Sequence, residues 1–294
     1  MSFEGVAEMQ YRLLVADIDG TLVRVVPERQ GPGDASRPIP LVPAETLAAI
    51  REIRKRGVRF LLATGRMWAS ARRFFEMVEA DPPAILYNGA MVYDFATGEV
   101  LYRRHVPLAT ARSVLSLLRS FPEVQPHVYV DDRVYVGHIN WLTEEYQRKD
   151  SIPVQEVGDL LEFLEADPVK ILIIGERAHL EQLAGAIRRL PGDPVNFVFS
   201  EPTYLEVLPP GTSKGSALQY VAGALGIPRE AIVAVGDDLN DLEMIRYAGL
   251  GVAMADAPEG LRAEADYVCA TVEEGGLKEV IERFLLGGSR GLTG

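Results

Sequence analysis

Cysteine and histidine are scarce in this sequence, which has a single cysteine, Cys269, and four histidines among 294 residues. One cysteine excludes an intramolecular disulfide framework, and the histidines have neither the spacing nor the company of a zinc site. No stretch approaches the ~20 apolar residues that a membrane-spanning helix needs. Residues 1–10 lack the basic and apolar regions of a signal peptide. We therefore expect a cytoplasmic protein with no membrane partner.

Positive charge is also in short supply, because 30 Lys and Arg stand against 42 Asp and Glu, for a net charge of −12. This is the wrong sign for a protein that binds nucleic-acid backbones, so no nucleic-acid partner is expected. Apolar residues make up 48% and charged residues 24% of the chain, which is typical of globular proteins and excludes a disordered chain. An anionic substrate would need a local cluster of donors or a bound cation.

The two ends of the chain alternate short apolar runs with amphipathic segments. Runs at 12–16, 58–63 and 84–87 predict buried strands, separated by predicted helices at 43–56 and 69–80. The same alternation returns with a helix at 216–225 and strands at 231–235, 250–254 and 267–269. Strands that alternate with helices in this way form a parallel sheet covered on both faces. We predict an α/β fold with a doubly wound, Rossmann-like core.

The middle of the chain has a different pattern, in which short strands and helices are mixed without regular alternation. We therefore predict that residues 1–87 and 208–294 form the core and that residues 88–207 form an inserted α+β cap domain. The proline-rich segment at 25–41 is predicted to be a mobile flap, and the tail at 287–294 to be disordered.

Polar clusters follow the predicted core strands, at the sheet edge where ligands of parallel α/β folds collect. The clusters are Asp17 with Asp19 and Thr21, Thr64 with Gly65, Lys214 at a helix start, and the acidic loop of Asp237, Asp238, Asn240 and Asp241. Carboxylates brought together raise one another's pKa, and a divalent cation relieves that repulsion. Carboxylate oxygens without histidine or thiolate favour a hard ion, which indicates Mg²⁺.

These clusters resemble the four motifs of the haloacid dehalogenase superfamily, in that family's order. DIDGT at 17–21 matches the first motif, DxDxT; Thr64 matches the second, Lys214 the third and GDDLND at 236–241 the fourth. The long insert resembles the family's large mixed α/β cap. NGA at 88–90, LEVLPPGTSKG at 205–215 and residues 251–254 are similar to the Cof-type branch of sugar-phosphate phosphatases. Asp238 and the pair at 255–256 depart from that branch, which often has Asn and Gly-Asn there.

The resemblance implies a phosphatase in which a covalent carboxylate intermediate divides the hydrolysis into two displacements. Asp17 is then the nucleophile that becomes the aspartyl phosphate. Asp19 protonates the leaving alkoxide and afterwards deprotonates the attacking water. Asp17, Asp237 and the backbone carbonyl of Asp19 would hold Mg²⁺.

The remaining motif residues are expected to contact the substrate or to support the site. Thr64 and the Gly65 amide would donate hydrogen bonds to the phosphoryl oxygens, and Lys214 would offset their negative charge. By resemblance, Asn240 contacts the substrate, and Asp241 orients Lys214 or supports the metal site. The expected substrate is a small phosphorylated metabolite, a sugar phosphate or sugar-acid phosphate.

Two alternatives use the same scaffold: a phosphomutase, and a non-catalytic protein that binds phosphate esters or a partner. A third comes from GTSKG at 211–215, which formally fits the nucleophile elbow G-x-S-x-G. That fold needs the order serine, acid, histidine, but the last histidine, His179, precedes Ser213. The order argues strongly against a serine hydrolase. The leaving group and the oligomeric state are left open.

Overall fold

A computed structural model describes residues 11–27, 38–150, 152–190 and 195–287. The strands are β1 (Leu13–Ala16), β2 (Arg24–Pro27), β3 (Pro38–Leu41), β4 (Arg59–Leu62), β5 (Ala84–Leu86), β6 (Met91–Asp94), β7 (Glu99–Arg103), β8 (Gln125–Val130), β9 (Arg133–Val136), β10 (Val154–Glu156), β11 (Lys170–Ile174), β12 (Asn196–Glu201), β13 (Tyr204–Leu208), β14 (Ile232–Gly236), β15 (Leu250–Met254) and β16 (Tyr267–Cys269). The helices are α1 (Ala44–Lys55), α2 (Trp68–Met77), α3 (Leu108–Leu118), α4 (Trp141–Asp150), α5 (Leu160–Phe163), α6 (Arg177–Ile187), α7 (Lys214–Leu225), α8 (Leu242–Tyr247), α9 (Glu259–Arg262) and α10 (Gly276–Val280), the last continuing as a π-helical segment at Ile281–Leu286.

Five parallel strands form the core sheet, in the order β16-β15-β14-β1-β4. Ala16 of β1 lies opposite Val235 on one side and Leu62 on the other, so these three strands end at nearly the same level. Every residue of β1 and β14 is buried, as expected for apolar runs covered on both faces. The predicted α/β fold with a parallel, doubly wound core is confirmed.

Helices cover the two faces of this sheet because alternate side chains of each strand point in opposite directions. Leu14 of β1 belongs to an apolar cluster with Ile50 of α1. Leu13 faces the other way, into a cluster with Leu218 of α7 and Met244 of α8. The core is therefore a three-layered α/β/α unit.

A second, mostly antiparallel sheet has the order β10-β9-β8-β11-β13-β12. One of its faces packs against α3, α5 and α6 through Val128, Ile171 and Leu183. Tyr129 and Leu172 point the other way and join the apolar cluster that includes core residues. This sheet and its helices make the mixed α/β cap, although the exact boundaries at 88 and 207 stay a prediction.

Several predicted ends shift for local reasons. The strand predicted to reach residue 87 ends at Leu86, because Tyr87 and Asn88 have positive φ angles of 52° and 53°. The helix predicted from 216 begins at Lys214, because Ser213 caps it. Strands β2 and β3 pair within the predicted flap. Residues 28–37 of that flap, the tail at 288–294 and the segment at 1–10 lie outside the described residues.

None of the helices in the described ranges combines the length and the apolar character that crossing a membrane requires.

Candidate active site

Three neighbouring strands of the core sheet bring the predicted site residues to one edge. Asp17 directly follows β1, Asp237 directly follows β14, and Thr64 comes two residues after β4. Backbone hydrogen bonds continue the pairing into these residues, since the N–H of Asp17 donates to the carbonyl of Val235 at 3.1 Å. Parallel strand ends thus place a nucleophile candidate between an acidic group and a hydroxyl.

Lys214 reaches the same edge from the first turn of α7. The Ser213 side chain accepts a hydrogen bond from the N–H of Ser216 at 3.0 Å, which fixes the start of the helix. The Lys214 Nζ lies 2.9 Å from Asp17 Oδ2 and 2.7 Å from Asp241 Oδ1. Burial opposes its charge, but the two carboxylates outweigh burial and raise the pKa of Lys214. Lys214 is therefore a buried ammonium group in contact with Asp17.

Asp237 packs directly against the turn that follows β1. The Thr21 hydroxyl donates to Asp237 Oδ1 at 2.8 Å. Gly20 has a φ angle of +75°, and a Cβ atom there would lie 2.2 Å from Asp237 Oδ2. Glycine is thus required twice, for the left-handed backbone and for the close approach.

Carboxylate oxygens of Asp17, Asp237 and Asp241 all lie within 4.8 Å of one another. Asp241 already accepts hydrogen bonds from Lys214 and, through Oδ2, from the N–H groups of Asp237 at 3.0 Å and Asp238 at 3.2 Å. It orders the loop and orients Lys214, which leaves Asp17 and Asp237 as the carboxylates available to a cation.

The electrostatics of Asp17 and Asp237 fit a divalent ion. Burial raises the pKa of Asp17 to about 7, although Lys214 acts in the opposite direction. Burial, followed by the charges of Asp17 and Asp241, raises the pKa of Asp237 well above its ordinary value. A buried and a half-buried carboxylate that resist ionisation side by side are stabilised by a hard cation, and their oxygen donors suit Mg²⁺.

Asp19 makes a contact that the sequence did not predict. Its Oδ2 accepts from Arg66 Nε and its Oδ1 from Arg66 Nη2, both at 2.6 Å. Burial acts to raise the pKa of Asp19, but this bidentate guanidinium reverses the effect and lowers it. The only sequence signal was that Arg66 follows Thr64 and Gly65 in the same loop.

A cavity of about 330 Å³ lies between the core edge and the cap. Six carboxylates but only three cationic side chains are among its lining residues: Asp17, Asp19, Asp237, Asp238, Glu201 and Glu206, against Arg66, Lys149 and Lys170. Its size suits a small metabolite. A phosphate dianion entering this acidic cavity would require a further positive charge, which a divalent cation would provide.

Asn240 lines this cavity and contacts the NGA segment. Its Nδ2 donates to Asn88 Oδ1 at 3.0 Å, while its buried Oδ1 has no hydrogen-bond partner among the described residues. A buried amide oxygen left in this state can accept a hydrogen bond from a substrate.

Two cavity residues from the cap, Lys170 and Glu206, form a buried ion pair that sequence analysis missed. Each is a charged residue within an apolar strand, β11 and β13. A charge inside an apolar run is a signal for a buried partner, but only the sheet register shows that the two strands are neighbours.

The chain belongs to the haloacid dehalogenase-like hydrolases, whose family pattern matches residues 14–281. The predicted membership of this superfamily, with its Cof-type branch, is confirmed. The chain is 26% identical over 278 residues to the 5-amino-6-(5-phospho-D-ribitylamino)uracil phosphatase YitU of Bacillus subtilis, covering 92% of this chain and 97% of that protein. It is 28% identical over 271 residues to the pyridoxal phosphate phosphatase YbhA of Escherichia coli, covering 88% and 93%.

A solved structure shows the same arrangement over most of the chain. The crystal structure of a haloacid dehalogenase-like hydrolase from Bacteroides thetaiotaomicron superposes with a TM-score of 0.78 at 26% identity, covering 93% of this chain and 99% of that one. The similarity therefore includes the cap as well as the core.

Proposed function

We propose that this protein is a Mg²⁺-dependent phosphatase that hydrolyses small phosphomonoesters, sugar and sugar-acid phosphates among them, in the cytoplasm. The decisive observation is that the buried Lys214 ammonium lies 2.9 Å from the carboxylate of Asp17, a residue that lines the cavity together with Asp237. The relatives YitU and YbhA, both named as phosphatases of phosphorylated small metabolites, support this assignment.

In the first step, Asp17 attacks the phosphorus atom and forms an aspartyl phosphate while the bond to the ester oxygen breaks. The Arg66 contact lowers the pKa of Asp19, so this step requires Asp19 to take up a proton in the substrate complex. Asp19 then gives that proton to the departing alkoxide, which leaves as the alcohol. In the second step, water attacks the same phosphorus atom and Asp19 takes the water proton. The acyl phosphate bond then breaks, and Asp17 and inorganic phosphate are released.

Four groups around the phosphoryl site serve binding and charge stabilisation. Lys214 offsets the charge on the equatorial oxygens, and its contact with Asp241 keeps the ammonium in place. The Thr64 hydroxyl and the Gly65 N–H donate to the same oxygens. Asn240 contacts the substrate through its Oδ1, which has no hydrogen-bond partner in the part of the chain that the structure describes.

Asp17, Asp237 and the backbone carbonyl of Asp19 are the groups that would hold Mg²⁺. When bound, the ion would neutralise the two carboxylates and draw the phosphate into a cavity in which acidic groups outnumber basic ones.

The assignment is tested by measuring inorganic phosphate released from a panel of phosphate esters, with Mg²⁺ and with excess EDTA. We expect turnover only with Mg²⁺, and a loss of more than about 10³-fold in Asp17→Asn. Glu181→Gln, which changes an exposed carboxylate on α6, is the matched control and should keep full activity. Metal-independent turnover, or full activity in Asp17→Asn, would refute the proposal. Formation of an isomeric phosphate ester in place of inorganic phosphate would identify a mutase.

A further inference from the structure

The ion pair of Lys170 and Glu206 connects two cap strands to the Gly65 loop of the core and to the Asn88 segment. Glu206 Oε2 accepts from Lys170 Nζ at 2.9 Å and from Asn88 Nδ2 at 3.0 Å, and its Oε1 accepts from Ser200 at 2.8 Å. Lys170 Nζ also donates to the backbone carbonyl of Gly65 at 2.9 Å. Both charged side chains are only 4% exposed, so the link is shielded from water.

The bond to Gly65 holds one end of the Gly65–Arg66 peptide group. The other end of the same peptide, the N–H of Arg66, donates to Thr64 Oγ1 at 3.1 Å. Because this oxygen already accepts a hydrogen bond, the hydroxyl hydrogen of Thr64 is free to point elsewhere, towards a phosphoryl oxygen. The orientation of this peptide plane thus occupies one lone-pair direction of Thr64 Oγ1, and the hydroxyl hydrogen must point away from it.

Such a pair contributes little to the stability of the folded protein. A buried ion pair stabilises a fold little more than apolar side chains of similar volume would, because the cost of desolvating the two charges offsets most of their attraction. The ammonium group of Lys170, a cap residue, also holds the Gly65 carbonyl of the core in a fixed position.

We propose that Lys170 is a positioning residue, which orients the Gly65–Arg66 peptide and through it the phosphoryl donors of the 64–66 loop when the cap is seated on the core. This inference rests on the proposed phosphatase function. With Lys170 in this role, the phosphoryl site is complete only when the cap is seated on the core. Exclusion of water by the cap is then coupled to assembly of the site.

The test uses the full-length protein with Mg²⁺, p-nitrophenyl phosphate as substrate and inorganic phosphate as inhibitor. Lys170→Met removes the donor but leaves the Glu206 charge buried, so the informative variant is Lys170→Met/Glu206→Gln, in which no charge is left unpaired. We expect kcat/KM to fall about 10–100-fold in both variants, and the inhibition constant of phosphate to rise about 10-fold. The Mg²⁺ concentration for half-maximal activity should not change, because Lys170 lies outside the proposed metal ligands.

Arg119→Met, which removes an exposed cap ion pair with Asp159, is the control and should match the wild type in all three quantities. If the double variant binds phosphate and turns over like the wild type, Lys170 only neutralises Glu206 and the inference is wrong. If Lys170→Met does not fold, the double variant answers the same question. A wild type that releases no phosphate from any ester would instead overturn the proposed function.

Discussion

Gly20 shows how strictly single residues determine this site. Its left-handed backbone turns the chain between Asp17 and Thr21, and the missing side chain lets Asp237 approach the turn. Gly57 has a similar φ of +85°, but a Cβ atom there would meet nothing within 4 Å. A substitution at Gly57 therefore tests backbone strain alone, whereas a substitution at Gly20 also disturbs the close contact with Asp237.

We expect Gly20→Ala to disrupt activity and Gly57→Ala to leave it intact. Each substitution forces a left-handed alanine and should cost about 1–2 kcal/mol of unfolding free energy, measured by urea denaturation. Only Gly20→Ala pushes Asp237 away, which should lower kcat/KM for an activated phosphate ester about 100-fold and raise the Mg²⁺ requirement. Equal activity in the two variants would show that the approach of Asp237 to the turn is unimportant.

Among the elements, the loop after β14 depends on one carboxylate at its end. Asp241 accepts two backbone N–H groups of the loop and the ammonium of Lys214. It thereby connects the start of α7 with the end of β14, and these two elements supply Lys214 and Asp237 near Asp17.

We predict that Asp241→Asn impairs both stability and catalysis. Both oxygens of Asp241 accept hydrogen bonds, so the NH₂ group of asparagine would face a group that is itself a donor. The expected loss is about 2–4 kcal/mol of unfolding free energy and at least about 10-fold in kcat/KM. Asp81→Asn is the matched control. Asp81 lies away from the site, but it also accepts a hydrogen bond from a backbone N–H, that of Phe60, and forms an ion pair, with Arg54. It should lose stability but keep activity, and an equal loss of activity in both would contradict the role of Asp241.

The core strands were predictable because they are short apolar runs, and β1, β4 and β14 are each followed by a polar motif. β1 and β14 lie within one residue of the predicted limits. The cap was harder, because β12 is half-buried along its length and has no clear alternation. The Arg66 contact with Asp19 and the pairing of Lys170 with Glu206 depend on which loops and strands become neighbours. Spacing along the chain does not determine that.

Over the whole molecule, the cap sheet has a polar and aromatic face towards the core, and His127 is completely buried in it. Its ring lies 4.9 Å from that of Tyr146, and its Nε2 has no hydrogen-bond partner within the described residues. Burial lowers the pKa of His127 to about 4, although a contact with the Gln125 carbonyl acts in the other direction. The folded protein therefore keeps this imidazole neutral where an unfolded chain would protonate it.

The sign of the pH effect follows from proton binding. Between about pH 6.5, the ordinary pKa of histidine, and pH 4, the unfolded chain binds the extra proton and the folded chain does not. The stability contributed by neutral His127 is therefore complete above pH 6.5 and is lost as the pH falls towards 4. From pH 7.5 to 4.5 this loss should reach about 2–3 kcal/mol.

We expect His127→Leu to remove this part of the acid sensitivity. Urea denaturation of both proteins at pH 7.5, 5.5 and 4.5 gives the difference between their unfolding free energies at each pH. A constant cost of the substitution cancels in the comparison across pH, as do the carboxylates that the two proteins share. The wild type should lose about 2–3 kcal/mol relative to His127→Leu over this interval. A difference that stays the same at all three values would mean that His127 takes up its proton in the folded cap as readily as in the unfolded chain.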